Sequence, residues 1–404
     1  MLAGGTACTK GTESSENVIS IPEFSYPDQI LGAESTMIPK LEMDQYAVPE
    51  NDALKFVEDM KLGWNLGNTF DASDCNHLSN EMDYEKAWCG QMTRIEHFAA
   101  IKAAGFNTIR IPVSWHNHVD ENFKISDAWM ARVKEVVDWA LACDLYVILN
   151  THHDVAEAYY YPDSAHLESS KRYLTSVWTQ MAETFKEYDS RLILESLNEP
   201  RLVGTKYEWW LDPNSAECKD AANCINILNQ LFVDTVRGAG GLNTQRYLMC
   251  PGYCASADGA CTDLFVLPTD TAENVNKIIV SVHAYTPYNF ALNKAGTKEF
   301  SVDDAVSCSE IGNFMDRLYG KFIANGIPVV IGEFGALNKD NLEQRVQFSA
   351  YYVAAARARG ISCCWWDNNA FSGNGENFGL LYRTTAKFMY PDIVQALVKY
   401  AEDQ

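Results

Sequence analysis

What this chain lacks narrows its function before any motif is read. No stretch reaches the roughly 18 consecutive apolar residues that a membrane-crossing helix needs. Positive charge is scarce: 32 Lys and Arg stand against 54 Asp and Glu, a formal charge of −22, with the acids scattered rather than massed in one tail. That balance argues against nucleic acid or an anionic membrane as partner, because both are held through Lys and Arg. No Walker loop occurs, and Gly63, Gly67 and Asn68 do not form the Gly-rich turn of a dinucleotide site, which counts against an intracellular redox enzyme. None of the 12 cysteines sits in a zinc-finger spacing partnered by His, so neither metal nor cofactor is expected. Met1-Leu2-Ala3-Gly4-Gly5 has neither the basic start nor the apolar stretch of a signal peptide, and a trimmed form of a secreted protein is the expectation.

What is present points to a large covered core. A chain of 404 residues with 47% hydrophobic content fits two domains or one α/β barrel with extensions. The 10 Trp and 20 Tyr suit a surface that stacks on flat apolar faces such as sugar rings, although many of these rings must serve the core. Cys75 with Cys89, Cys218 with Cys224, and Cys254 with Cys261 each bracket a short polar loop, as disulfides of a secreted protein do. Cys143, Cys250, Cys363 and Cys364 lie in or beside apolar runs and read as buried thiols.

The first fifty or so residues do not read as a domain. Thr6 to Asn17 has almost nothing to bury and reads as a linker or leader. From Val18 onward, Ile19, Ile21, Phe24, Tyr26, Ile30, Met37, Ile38 and Leu41, broken by Pro22, Pro27 and Pro39, predict an extended segment laid outside a larger core. Asn51 then looks like the cap of a short helix carrying Leu54, Phe56, Val57 and Met60. Residues 1–50 are therefore assigned to the leader and outer segment, and 51–404 to one catalytic domain.

Within that domain one theme repeats. Leu62–Gly67, Asn107–Val113, Leu145–Asn150, Leu192–Leu197, Arg246–Cys250, Lys277–His283, Pro328–Gly332 and Ile361–Trp366 are apolar runs without clean alternation, as expected of strands covered on both faces. Helical stripes separate them: Met92, Ile95, Phe98, Ile101 and Ala104; Met130, Val133, Val137 and Ala140; Trp178, Met181 and Phe185; Ile227, Leu231 and Val236; Phe314, Leu318, Tyr319 and Phe322; Phe348, Tyr352 and Ala356. The alternation predicts an α/β fold, a (β/α)8 TIM barrel, in preference to an open doubly wound sheet.

A barrel carries its chemistry at the carboxyl ends of its strands. There the unusual polar residues fall: Arg110 near the end of the second strand, His152 and His153 after the third, Asn198 and Glu199 after the fourth, His283 and Tyr285 at the sixth, Glu333 at the seventh, and Trp366 with Asp367 at the eighth. An isolated Asn198-Glu199-Pro200 reads equally well as a loop glutamate facing solvent. A second strand ending on an acid, Val329-Val330-Ile331-Gly332-Glu333, turns it into half of a pair. His152 and His153 raise the question of a metal, but adjacent strand residues point to opposite faces, so they need not share an ion.

Together these segments resemble glycoside hydrolase family 5, and Gly63-Trp64-Asn65-Leu66-Gly67-Asn68-Thr69-Phe70-Asp71-Ala72 is similar to its endoglucanase and xyloglucanase branch. The resemblance runs from about Asn51 to the C-terminus. It is carried by Ile109-Arg110-Ile111-Pro112-Val113, Asn150-Thr151-His152-His153-Asp154, Asn198-Glu199-Pro200, His283-Ala284-Tyr285, Gly332-Glu333-Phe334-Gly335 and Trp365-Trp366-Asp367-Asn368. It implies a retaining glycosidase with Glu199 as acid and base and Glu333 as nucleophile. On chemical grounds Glu333 should stay ionised near Arg110 and a hydrogen bond from Tyr285, and Glu199 should keep a proton beside that like charge.

The resemblance places His152 in the site, Asn198 on the sugar 2-hydroxyl, and Trp366 under the sugar before the scissile bond, with Trp365 in the wall. Asn68 and Asp71 correspond to groups reaching more distant subsites, and His153 and Asp367 are counted with the substrate-binding residues. Trp115, His116, Tyr159, Tyr160, Tyr161, Trp209 and Trp210 lie in loops where they can stack on a neutral glucan. The expected activity is a secreted, monomeric endo-β-1,4-glucanase on cellulose-like or mixed-linkage glucan. Xyloglucan, xylan and mannan remain open on the same barrel, as does a carbohydrate-binding protein without chemistry.

Overall fold

The computed structural model describes Ser25, residues 30–271 and residues 273–402. Strands β1 (Leu62–Leu66), β2 (Thr108–Ile111), β3 (Tyr146–Asn150), β4 (Leu192–Glu195), β5 (Leu248–Ser256), β6 (Ile278–His283), β7 (Val329–Phe334) and β8 (Ser362–Asp367) form a closed barrel in sequence order. Every pairing is parallel, and β8 closes on β1 from Leu62 opposite Cys363 to Leu66 opposite Asp367. The strands lack polar alternation because helices cover the outside while side chains fill the inside.

The helices of five residues or more are α1 (Asp52–Met60), α2 (Ile95–Ala103), α3 (Asp127–Ala142), α4 (Leu167–Thr184), α5 (Ala216–Gly238), the short α6 (Ala257–Cys261), α7 (Ala305–Lys321), α8 (Leu342–Arg357) and α9 (Pro391–Ala401) among the described residues. Asn51 caps α1, its Oδ1 accepting from Leu54 N at 2.8 Å while its Nδ2 donates to Gly326 O. Two details differ from the sequence reading. Met92 precedes α2 and is exposed, and on α5 the buried stripe is Ile225, Leu228, Phe232 and Val236, with Ile227 and Leu231 only partly covered. One position along a helix turns a side chain by about 100°, enough to move it off the buried face.

The apolar residues form two layers. The larger one lies between barrel and helices. The smaller joins Ala53, Val57 and Met60 of α1 to Ile148, Ile193, Met249, Ile279, Val330 and Cys364, one from each of β3 to β8. Helix α1 thus plugs the amino-terminal mouth, and the carboxyl mouth is left for polar groups. On the outside, Ile30, Leu31, Met37, Ile38, Leu41 and Met43 pack on the outer layer. Gln395 of α9 holds this segment through Leu31 O, Ala33 O and Ser35 N. The linker reading of Thr6 to Asn17, with Ile19, Ile21, Phe24 and Tyr26, lies outside the described residues.

The disulfide expectation is corrected: all the described cysteines are free. Cys218 and Cys224 both sit on α5, about 9 Å apart along the axis by helical rise, beyond the span of a disulfide. Cys75, Cys89 and Cys254 lie within hydrogen-bond reach of the carbonyls of Ser73, Glu85 and Glu208 respectively.

Close approach inside the barrel fixes one residue. A Cβ on Gly63 would stand 2.2 Å from Cys364 Sγ and 3.3 Å from Thr108 Cβ. Gly63→Ala should therefore cost about 1–3 kcal/mol by overpacking, and Cys364→Ala in the same chain should recover part of the loss. Thermal denaturation of both single variants and the double checks this, and strictly additive losses would contradict it.

Candidate active site

The polar residues at the carboxyl mouth are organised by Arg110, which is fully buried. Its Nε donates to Glu195 Oε2 at 2.8 Å, its Nη1 to Glu333 Oε1 at 2.7 Å and Asn65 Oδ1 at 3.0 Å, and its Nη2 to Asn198 Oδ1 at 2.7 Å. Burial alone lowers the affinity of this guanidinium for its proton, but the Glu195 and Glu333 charges hold it above its ordinary value. Glu195 is equally buried and receives Ser281 Oγ at 2.6 Å and Asn150 Nδ2 at 3.1 Å. The four groups Asn65, Asn150, Glu195 and Ser281 escaped the sequence reading. The signal was there: an acid inside Leu192-Ile193-Leu194-Glu195 is costly to bury unless a cation faces it, and Arg110 is such a cation.

Above this layer stand the two acids. Glu333 takes Arg110 on Oε1 and the Tyr285 hydroxyl on Oε2 at 2.9 Å. Burial, followed by the carboxylates of Glu333 and Glu199, pushes the Tyr285 phenol well above its ordinary value, so it remains a donor. Strict alternation on β7, with Val330 inside and Ile331 outside, would turn Glu333 away from the lumen. The β6–β7 register slips instead, from Val282 opposite Ile331 to His283 opposite Glu333, and this irregularity aims the acid inward.

Glu199 lies just beyond β4. Its Oε1 is 2.9 Å from His283 Nδ1, and its Oε2 is 3.8 Å from Arg201 Nη1. Burial pushes this carboxyl up, but the His283 hydrogen bond and charge, then Arg201 and His153, more than offset it, and the balance falls below the ordinary glutamate value. That direction differs from the expected retained proton: His283, not Glu333, is the group in closest contact. One oxygen from each glutamate and a ring nitrogen of His283 lie within 4.8 Å of one another.

Trp366 lies over Gly67, where a Cβ would meet the indole at 2.8 Å, and packs with Leu337 and Phe378. The His152 ring runs parallel to it with centroids 5.8 Å apart. Burial and the neighbouring His153 and Arg110 keep His152 well below its ordinary pKa, and burial brings His153 to about 4, so both imidazoles are neutral near pH 7. Their rings are only 4.4 Å apart, which corrects the opposite-faces argument: both residues lie past the end of β3, where strand alternation no longer applies.

Among the described residues, Asp71, His152 and His153 also bring donor atoms within 4.8 Å. Asp71, however, already accepts from Asn68 N at 3.0 Å and Thr69 N at 2.6 Å. In the other close group, Glu199 and Glu333 are engaged with His283, Arg110 and Tyr285.

The remaining substrate-binding candidates divide by exposure. Asp367 is fully buried and accepts from Trp64 Nε1, Asn369 N, Leu380 N and Leu381 N, so it shapes the β8 end and has no reach toward a ligand. Trp115 is buried with its indole N–H on Asn150 O, Tyr160 and Tyr161 are buried too, and His116 is tied to Asp154 at 2.8 Å. Asn68 is partly exposed beside Asp71. Trp209 and Trp210 are exposed on the β4 loop, and Trp88, which the sequence reading passed over, is exposed 5.8 Å from His153.

A family model described as cellulase, glycosyl hydrolase family 5, matches residues 69–372. Endoglucanase A of Clostridium longisporum is 40% identical over 368 residues, 90% of this chain and 69% of that protein. A GH5 family lichenase from Caldicellulosiruptor sp. F32, solved also as a mutant in complex with cellotetraose, is 57% identical with a TM-score of 0.89, over 90% of this chain and 99% of that one. A GH5-4 broad specificity endoglucanase from Ruminococcus champanellensis with bound cellotriose is 42% identical with a TM-score of 0.80, over 87% and 100%.

Two measurements check this geometry. Glu195→Ala leaves Asn150 Nδ2 and Ser281 Oγ short of an acceptor and Arg110 with one buried counter-charge, and should lower stability by about 3–5 kcal/mol in chemical denaturation. Gly67→Ala tilts the Trp366 indole and should raise KM for soluble glucan several-fold, leaving the stability loss within about 1–3 kcal/mol. A KM unchanged by that substitution would mean the indole does not carry substrate.

Proposed function

The chain belongs to the cellulases of glycosyl hydrolase family 5, and from that premise we propose that it is an endo-β-glucanase. It cleaves internal β-1,4 bonds of cellulose-like or mixed-linkage glucan with retention of anomeric configuration. The observation that carries the reading is the pair of carboxyl groups: oxygens of Glu199 and Glu333 within 4.8 Å, each with its own set of partners. Inverting enzymes hold their two carboxyls roughly 6.5–9.5 Å apart to admit a water, and retaining ones about 5–5.5 Å.

In this reading a Glu333 oxygen attacks the anomeric carbon as the glycosidic C–O bond breaks, and the departing oxygen takes a proton from Glu199. Arg110 and Tyr285 each hold one oxygen of the nucleophile and fix its direction. His283 Nδ1, 2.9 Å from Glu199 Oε1, orients the acid for this transfer. In the second step Glu199 accepts a proton from water, whose oxygen displaces Glu333 and restores both acids. Arg110 occupies Asn198 Oδ1, leaving the amide N–H groups of Asn198 for the sugar 2-hydroxyl. Trp366, with His152 alongside, supplies the apolar floor. The broad specificity named for one relative supports keeping xyloglucan as a second substrate. A polymer substrate cannot enter a cell intact, so the enzyme acts outside it, and a monomer suffices because one chain supplies every group named.

Glu333→Gln should reduce reducing-sugar release from barley-type β-glucan by about three orders of magnitude or more, since it removes the ester-forming group. Full activity in that variant would sink the reading. On a panel of β-glucan, carboxymethylcellulose, xyloglucan, xylan and mannan, mixed-linkage glucan should rank near the top, and the first anomer seen by NMR should be β. Faster turnover of xylan or mannan would reassign the substrate.

A further inference from the structure

Arg201 has no part in the two-carboxylate scheme, yet it is bound to the proposed acid at two points. Its Nη1 donates to the backbone carbonyl of Glu199 at 2.9 Å and stands 3.8 Å from Glu199 Oε2. On its other edge Nε is 3.6 Å from Glu208 Oε1, too long for a hydrogen bond, and no closer partner takes that N–H. The guanidinium carbon lies 4.1 Å from the ring centroid of Trp209, a residue 53% exposed. The arginine itself is only 12% exposed at its side chain. Trp209 therefore roofs the cation, as stacked indole and guanidinium planes do, and keeps water from screening it against Glu199.

We propose that Arg201 is a positioning residue that sets the proton balance of Glu199, with Trp209 as the cover that makes its charge count. The inference rests on Glu199 acting as acid and base. Such a group must hold its proton when the glycosidic oxygen leaves and lack it when water attacks, so a fixed cation beside Oε2 favours the second state at the expense of the first. Glu199 is also faced by His283 of β6, Glu333 of β7 and His153 beyond β3, all unchanged in variants of Arg201; Glu208 draws part of the cation's field away from Glu199, so the loop carries both the bias and its counterweight. Fixing the Glu199 carbonyl also holds the turn through Pro200 that presents the acid, and a sugar stacked on the open face of Trp209 would dry the pair further.

Removing the cation raises the pKa of Glu199, and the alkaline limb of kcat/KM, which reports the protonated acid in the free enzyme, moves up with it. The test is the pH profile on barley-type β-glucan for the parent, Arg201→Gln, Arg201→Lys and Trp209→Ala. Arg201→Gln should shift the alkaline limb upward by about half to one pH unit. Arg201→Lys, which keeps the charge, should shift it by less, and Trp209→Ala should shift it in the same direction as Gln. On 2,4-dinitrophenyl cellobioside, whose leaving group needs no proton, kcat/KM does not depend on the protonated acid, and Arg201→Gln should leave its alkaline limb in place.

A limb on the polymer that stays put in Arg201→Gln, or one that moves equally on both substrates, would overturn the inference and leave Arg201 as a loop brace. Glu199→Gln separates this from failure of the parent reading. If that variant loses polymer activity while the limb in Arg201→Gln stays in place, only the role of Arg201 falls. If Glu199→Gln keeps polymer activity, the assignment of the acid falls as well.

Discussion

Everything at the carboxyl mouth depends on one buried guanidinium held between two carboxylates. A charge taken out of water costs several kcal/mol unless its geometry is met on every side, and Arg110 meets it with Glu195, Glu333, Asn65 and Asn198. The arrangement is rigid because the fork is planar and its directions are fixed. Glu195 is the lower of the two partners, fully buried and tied to Ser281 and Asn150. Glu333 is the one that reaches the surface of the network. When Glu333 becomes an ester in the proposed reaction, Arg110 still faces a full negative charge below, so the barrel is never left with an uncompensated cation.

The barrel architecture gives that network its place. Helix α1 and the apolar layer of Ile148, Ile193, Met249, Ile279, Val330 and Cys364 close the opposite end, so polar side chains can gather only above them. Two local departures from regular structure complete the site. The register slip between β6 and β7 turns Glu333 inward, and the absence of a side chain at Gly67 lets Trp366 lie flat. Each is a small local cost that the surrounding packing over-determines.

The strands were legible in the sequence because both their faces are covered, which writes continuous apolar runs, and the rim was legible because polar residues ended those runs. Facing was not legible. Trp115, Tyr160 and Asp367 sit beside ligand-facing positions yet point into the protein, and nothing in their identity distinguishes an indole that stacks on sugar from one that donates to Asn150 O. His152 and His153 were misjudged because strand alternation was carried past the strand's end. The paired cysteine spacings misread both loop and bonding for Cys218 and Cys224, which lie on α5, where helical rise separates sulfurs that look adjacent in the chain. Glu195 was passed over for the converse reason: it stood inside an apolar run and was read as part of it.

The two acids are made different by their neighbours rather than by their depth. Both are largely buried, so desolvation acts on each in the same direction, and a difference in role must come from partners. Glu333 has a permanent cation and a phenol whose own ionisation is suppressed, neither of which gives up a proton near neutrality. Glu199 has an imidazole nitrogen at 2.9 Å and an arginine held further off, and together they bring its carboxyl below the ordinary glutamate value. One carboxylate is thereby held at both oxygens by a cation and a phenol, and the other meets a ring nitrogen at one oxygen and a more distant cation at the other. A double displacement demands that asymmetry, because its nucleophile must be charged at the start and its acid must change state twice in each turnover.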